Sequence, residues 1–504
     1  MPHRKGRIHH GSASSPSLSF VLTPTLPKPP PLAPRERLLV GATAFHLVFL
    51  PWALGTVHPW SQVVSLGLAL CSAGIAFMPL PAANATVVER PPLREVARSP
   101  LFWLGAAVLG VIAVQALNPA WRYVSNSQDW WLQPVAHVPW LPRGVDAPFT
   151  LSNPGRALVI FGSVWLQALA VWIGLRRRRS FHLLFSILVA NAALLVVLEI
   201  LQALTGASGI FWDYTPSSGS FVASFIYRNH AGAYFNLMVA LAASLGWWHF
   251  RQAQKTHAKS SPAALLAFIA AGIALVVVLS ASRMSIANLV AFLGLTVLLI
   301  VVRRLRKNRQ GFLRADLIVL WLALAGIGGV VVLCVEVDKV RERILHLVED
   351  PRASSRDRAL VAQASIEMLR ESWPAGWGAG CFRHGFPLYA IHHPEIYRSR
   401  PETQLYWEYT HNDFLQFAIE LGLYGMCPLL VLILAALVRL GRARFWRSVV
   451  SNSLVLAVVL LGLHSTVDFV LQNPAILHTA GFLLIGALRW VELDAPATAL
   501  RGSA

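Results

Sequence analysis

The sequence predicts an all-α polytopic membrane protein of about twelve transmembrane helices, with a large, partly helical loop between the ninth and tenth. Three observations predict it. Of 504 residues, 55% are hydrophobic and only 13% charged, a balance that suits lipid better than water as solvent. Apolar stretches of about 18 residues or more, long enough to span a bilayer as helices, recur along the chain. Alternate connections between these stretches carry clustered Arg and Lys, as the connections on the cytoplasmic side of a membrane do.

Residues 1–36 are rich in Ser, Pro, Lys and Arg and lack a short apolar region followed by a small-residue cleavage site, so they read as a disordered cytoplasmic tail. Apolar runs then fall at roughly 37–55, 60–79, 101–118, 157–175, 181–204, 230–250, 262–281, 284–302 and 315–334. Together they make a region of nine spans over 37–334. A loop over 335–412 follows, then runs at 413–438, 449–470 and 474–490 within 413–491, and a cytoplasmic tail over 492–504.

Orientation follows from the basic residues. Arg90, Arg94 and Arg98 follow the second span, Arg176 to Arg179 the fourth, and Arg251, Lys255 and Lys259 the sixth. Arg303, Arg304, Arg306, Lys307 and Arg309 follow the eighth, and Arg439, Arg442, Arg444 and Arg447 the tenth. With Arg35 and Arg37 before the first span, both termini fall in the cytoplasm. The formal net charge of +19 is thus distributed as topology signals and not as a nucleic-acid surface. Cys71, Cys334, Cys381 and Cys427 form no CxxC pair and indicate neither a zinc site nor a disulfide framework, although a Cys334–Cys381 bridge stays open.

The connections on the opposite side are longer and rich in Trp, Tyr, Pro and Gly. The one near 118–156 holds Trp121, Trp130, Trp131 and Trp140, which suit an interfacial aromatic belt first and a sugar-stacking surface second. A second spans about 205–229. The third, 335–412, is long enough to fold into helices of its own. Within it Ser354 and Asp357 have the spacing of a capping box, so a helix is expected from there to about Glu371. Pro374, Gly376, Gly378 and Gly380 then supply a backbone that can approach a ligand closely.

Polar residues gather at the outward ends of the spans. Arg228, Asn229 and His230 open the sixth, where free backbone N–H groups and the helix dipole favour an anion. Arg283 lies in the turn between the seventh and eighth, where topology requires no cation; it suits either a phosphate ligand or a side chain snorkelling to lipid headgroups. Arg356 and Arg358 fall in the first turn of the expected loop helix, the unfavourable end for a cation unless a phosphate offsets it. His411, Asn412 and Asp413 open the tenth span. His411 suits a general base at a membrane-edge cavity or a helix cap. His464 and Asp468 are four residues apart on one helical face, where the carboxylate orients an imidazole or merely satisfies it. Glu199, inside the fifth span, has no assigned role. His392 and His393 sit in a Pro-flanked loop and are not taken as metal ligands, and the outer loops contain no D-x-D string.

The strings SFIYRNHAGAY, LSASRMS, RALVAQASIEMLRESWPAGWGAG and THNDFLQFAIELGLYG, in this order and spacing, resemble the O-antigen ligase and polymerase superfamily over about residues 220–475. The resemblance implies a bacterial inner-membrane glycosyltransferase that needs neither metal nor cofactor. It would move a glycan from an undecaprenyl-pyrophosphate carrier to a hydroxyl of lipid A core, another glycan or a protein, on the periplasmic face. Arg283 matches the family's arginine after the small-residue turn, and Arg358, counting back from Met368 and Pro374, its loop-helix arginine, with Arg356 as the other register. His411 matches the histidine before the N-D-x-x-Q string and would act as base. The chain departs from the family at Ala362, where members often carry Trp. Ligase, polymerase and protein transferase share these motifs. A transporter of lipid-linked glycans, a different class, would instead show broken helices at mid-membrane and paired halves, and a non-catalytic, lipid-binding scaffold of an envelope assembly is a third possibility.

Overall fold

A computed structural model describes residues 32–81, 88–89, 93–216, 220–306, 351–398 and 406–493. The apolar run at 315–334, Cys334, Arg90, Lys307, Arg309 and the terminal tails lie outside the described residues, as do the side chains of Arg303, Arg304, Arg306, Ser354 and Arg356. The remaining eleven runs each coincide with a helix: α1 (Pro34–Trp52), α2 (Pro59–Phe77), α3 (Pro100–Leu117), α4 (Pro154–Gly174), α5 (Arg178–Leu204), α6 (Arg228–Thr256), α7 (Ala263–Leu279) and α8 (Arg283–Arg306), then, after the loop helix α9 (Pro351–Ser372), α10 (Asp413–Arg442), α11 (Val449–His464) and α12 (Pro474–Glu492). Several open on proline, whose fixed φ and missing N–H suit the first helical position.

Seven of these helices are long and apolar enough to cross a membrane, and the chain is a helical polytopic membrane protein. α6 is the central helix. Its Tyr234, Phe235, Leu237, Met238, Leu241 and Leu245 are all fully buried, and it packs on α7, α8 and α11. A helix enclosed by other helices needs no lipid-facing stripe.

Polar residues inside the bundle satisfy one another across helices. His46 Nδ1 lies 2.8 Å from Gln167 Oε1 and His46 Nε2 2.8 Å from Ser65 Oγ, while Ser163 Oγ lies 2.8 Å from His478 Nε2. Gln167 Nε2 donates to Thr43 Oγ1 at 3.2 Å. These contacts tie α1, α2, α4 and α12 together where water is excluded, the setting in which side-chain hydrogen bonds fix which helices pair.

The segment between α3 and α4 is not irregular loop. It forms a three-stranded sheet of order β2-β1-β3, with β1 (Pro119–Ser125) antiparallel to β2 (Trp130–Pro134) and parallel to β3 (Gly144–Asp146). The expectation of an all-helical fold missed it, although aromatic and β-branched runs flanking Asn126-Ser127-Gln128-Asp129 are a hairpin signal. The Asn126 side chain accepts from the backbone N–H of Gln128 and Asp129 and closes that turn. Opposed residues share a face. The inner face carries Trp121, Tyr123, Trp130, Leu132 and Val145, and Trp121 stacks on Trp377 with ring centroids 6.1 Å apart. The four tryptophans of this connection therefore do not act together: Trp121 and Trp130 face the module's core, whereas Trp131 and Trp140 are 47% and 71% exposed.

The glycine-rich segment after α9 approaches protein backbone. Within α10, Gly422 has φ 59° and ψ −164°, which breaks the helical ladder. Into the gap Trp377 N donates to Ile419 O and Gly378 N to Glu420 O, both at 2.9 Å, while Leu423 N donates to Pro374 O at 2.9 Å. The buried Glu420 carboxylate accepts from Gly380 N at 2.9 Å and Phe382 N at 3.3 Å. The close approach expected of Gly376, Gly378 and Gly380 is real, but its partner is α10 rather than a ligand. At Gly376 (φ 80°) an added Cβ would lie 2.6 Å from Glu420 O.

Candidate functional site

The connection between α11 and α12, residues 465–473, is the floor of the site. Asp413 pins it: its carboxylate accepts from Leu471 N at 2.8 Å and Gln472 Nε2 at 3.2 Å, and its own N–H donates to Ser465 O at 2.8 Å. Asn412 caps α10 by accepting from Leu415 N at 3.1 Å. Asn412 and Asp413 are thus fastenings, and they hold His411 immediately before the helix in a left-handed conformation, φ 54°. Left-handed backbone is uncommon for a residue with a Cβ, and histidine is among those that tolerate it.

Asp468 is the centre. Its Oδ1 lies 3.6 Å from His411 Nδ1 and its Oδ2 3.8 Å from His464 Nε2, and Asn229 Nδ2 donates to Oδ2. His464 is fully buried. Burial would raise the Asp468 carboxyl, but contacts with His411 and His464 and the charges of His411 and His230 overcome it and hold the group well below the usual carboxylate range. The sign follows from linkage. A carboxylate whose folded pKa is depressed contributes stability above its unfolded pKa of roughly 4 and loses it only as pH falls through the lower folded value. The Tm difference between wild type and Asp468→Asn should therefore be present near pH 5 and shrink in stronger acid, a result checked by thermal melts from pH 5 downward.

Aromatic rings wall the site. Phe469 stacks on Tyr409 at 4.3 Å and on Tyr227 at 5.2 Å, and meets His411 and His230 edge-on at 5.0 and 5.1 Å. Burial and the Asp468 charge push the Tyr227 hydroxyl up to about 12, against the opposing pull of Arg358 and Arg228. Tyr227 thus lies among all three charged groups. Tyr227 stood in the polar string that opens the sixth span, but Tyr409 and Phe469 were not singled out in the sequence, where the only available signal was their adjacency to His411 and Asp468.

Arg358 donates from Nη1 to Val467 O at 3.2 Å, next to Asp468. It does not occupy a first helical turn. α9 begins at Pro351, so Ser354 lies inside the helix and Arg358 about two turns along, which removes the dipole penalty inferred from the sequence. Arg283 is exposed at the start of α8, after Ala281 with φ 48°. Its turn docks on α6: Asn236 Nδ2 donates to Ser285 O at 2.8 Å, and a Cβ on Gly232 would lie 2.3 Å from Ser285 Oγ. Asn288 then donates to Leu460 O on α11 at 3.0 Å. Arg228, Asn229, His230, Arg283, Arg358, His411, His464 and Asp468 are thereby gathered at one end of the bundle.

Other singled-out groups lie elsewhere. Glu199 accepts from Ala223 N, and Gln202 Nε2 donates to Ala223 O at 3.0 Å, so this part of α5 fastens the 205–227 connection. His392 and His393 both contact Glu367, at 3.4 and 3.0 Å. Among the described residues no cluster of three or more His, Cys, Asp or Glu is arranged to hold a metal ion. Cys381 is a buried free thiol.

Residues 266–430 match the family model described as O-antigen ligase. The match covers about a third of the chain and supports membership of the O-antigen ligase superfamily. The matched segment of this O-antigen ligase relative contains Arg283, Arg358 and His411, while Arg228, Asn229, His464 and Asp468 join the cluster from outside it. Such a match implies a glycosyltransferase-like enzyme of the O-antigen ligase and polymerase type, a class that works generally on a lipid-linked glycan and a glycan acceptor. No curated protein matches the chain.

Proposed function

We infer that the chain is an inner-membrane transferase of twelve spans, with both termini cytoplasmic and the Asp468 cluster facing the periplasm. It moves a glycan from undecaprenyl-pyrophosphate to a hydroxyl acceptor, in the manner of an O-antigen ligase. The observation that carries this reading is the contact of His411 with the buried Asp468 carboxylate, beside Arg358 anchored on Val467.

Arg283 and Arg358, with Arg228 beside Tyr227, hold the diphosphate. Guanidinium groups bind such oxygens bidentately, and partial desolvation at the membrane edge strengthens the contact. His411, with Nδ1–H turned toward Asp468, accepts the acceptor's hydroxyl proton on its other ring nitrogen. Asp468 stabilises the imidazolium that results, and the 3.6 Å separation leaves room for this contact to tighten as charge develops. The alkoxide-like oxygen attacks the anomeric carbon. The carbon–oxygen bond to pyrophosphate breaks, and the diphosphate departs carrying its charge onto the arginines. No cofactor or metal is called for, so transfer should survive chelation.

Purified protein in liposomes, given undecaprenyl-pyrophosphate glycan and acceptor, tests this. Arg283→Ala and Arg358→Ala should each raise donor KM by about 10- to 100-fold, as loss of about 1.5–3 kcal/mol from a charged hydrogen bond implies. Full rate and unchanged KM in both variants would overturn the phosphate assignment. Translocation of the donor without transfer would favour a transporter. Lipopolysaccharide gels after gene deletion separate the finer alternatives: loss of capped core with carrier-linked polymer accumulating marks a ligase, and single-repeat product marks a polymerase.

A further inference from the structure

The outer face of the β2-β1-β3 sheet has a composition that neither lipid nor plain solvent exposure requires. Register places Trp131 opposite Val124, Arg122 opposite Gln133, and Arg122 beside Asp146, all on the face turned away from the module's core. Arg122 Nε lies 3.3 Å from Asp146 Oδ2, with side chains 57% and 54% exposed. A guanidinium–carboxylate pair and an amide on one open face keep that face wet, because taking even paired ions out of water costs several kcal/mol per ion. Trp131 therefore stands with about half its surface exposed, opposite Val124, on a face that otherwise carries an exposed ion pair and an amide.

We propose that this face binds the distal sugars of the donor glycan, with Trp131 stacking on the apolar C–H face of a pyranose ring and Arg122, Asp146 and Gln133 bonding its hydroxyls. The proposal rests on the transferase reading above. Carbohydrate matches the chemistry: a sugar has one face of C–H groups and an edge of vicinal hydroxyls, which need an acceptor carboxylate, a forked donor and an amide that is both. The position selects the donor. The sheet packs on the 376–384 segment, past the C-terminal end of α9, through Trp121 on Trp377, Tyr123 on His384 and Arg143 Nε donating to Gly376 O at 3.4 Å. Arg358 lies near the other end of that helix, roughly 20 Å away by helical rise. A glycan fixed at its pyrophosphate end by Arg358 must extend several sugars before it meets the sheet, so the contact favours a longer donor over a shorter one.

The test compares wild type, Trp131→Ala and Gln133→Ala in liposomes, using carrier-linked donors of one repeat and of several. A parallel measurement follows saturation-transfer NMR between each protein and the delipidated repeat-unit oligosaccharide. For the multi-repeat donor, KM should rise 5- to 10-fold in Trp131→Ala, and less in Gln133→Ala, with kcat held. Single-repeat kinetics should stay unchanged, and saturation transfer to the sugar C–H protons should be lost. Equal KM values for both donors in wild type and Trp131→Ala, with transfer intact, would overturn the proposal and leave the transferase reading standing. Oligosaccharide binding lost in Trp131→Ala, in a wild type that transfers nothing, would keep the glycan surface and remove the transferase reading. Quenching of Trp131 by brominated lipids would place the face on the bilayer and also overturn the proposal.

Discussion

Replacing His411 with alanine is expected to lower glycan transfer by about 10²- to 10⁴-fold, the range general base catalysis contributes, while donor binding persists. Donor affinity should persist because the residues proposed to hold the diphosphate are positioned without His411: Arg358 by Val467 O and Arg283 by the turn that Asn236 holds against α6. The appropriate measurement is kcat against donor KM in liposomes, with donor binding followed separately. A kcat left within a factor of two would remove His411 from the chemistry. A large rise in KM at constant kcat would make it a binding residue instead.

The second large effect is on folding. Gly422→Ala should cost several kcal/mol, seen as a drop in detergent-solubilised Tm and yield. Two sources add. The left-handed, extended conformation at φ 59° and ψ −164° is nearly closed to residues with a Cβ, at about 1–3 kcal/mol. The Cβ would also lie 2.3 Å from Pro374 O and 2.7 Å from Gly376 N, backbone atoms that cannot turn aside. Gly441→Ala, later in the same helix with nothing within 4 Å of its Cβ, is the control. It should be neutral or stabilising by up to about 1 kcal/mol. Equal Tm values for the two variants would refute this account of the α10 break.

The membrane helices were legible because an apolar run of bilayer length has few alternative structures, and eleven of them coincide with helices. Helix α6 nevertheless runs six residues past its expected end and α11 stops six short, which puts Asp468 in a connection and not on the helical face expected of it. His411, Arg358 and Asp468 were legible as charges that membrane topology does not require. Their common centre was not. That Asp468 faces His411 as well as His464 depends on how Asp413 folds the 465–473 connection, a contact across more than fifty residues that no local spacing encodes. The α9 start was misplaced for a local reason, since the Ser354 and Asp357 pair fits a capping box while the helix continues upstream to Pro351. Glu420, about two turns into α10, carried no local sign of its role. Its carboxylate takes the Gly380 and Phe382 amides, a use visible only once the glycine segment is seen lying against α10.

That seam also bears on how the chain can be cut and recombined. Trp377, Gly378, Gly380 and Phe382 donate to the broken turn of α10, and Leu423 of that turn donates to Pro374 O, so each side supplies partners the other lacks. A loop transplanted from a relative would arrive with half a joint. Chimaeras that exchange glycan specificity by swapping this region should express only when the Ile419–Leu423 turn travels with it.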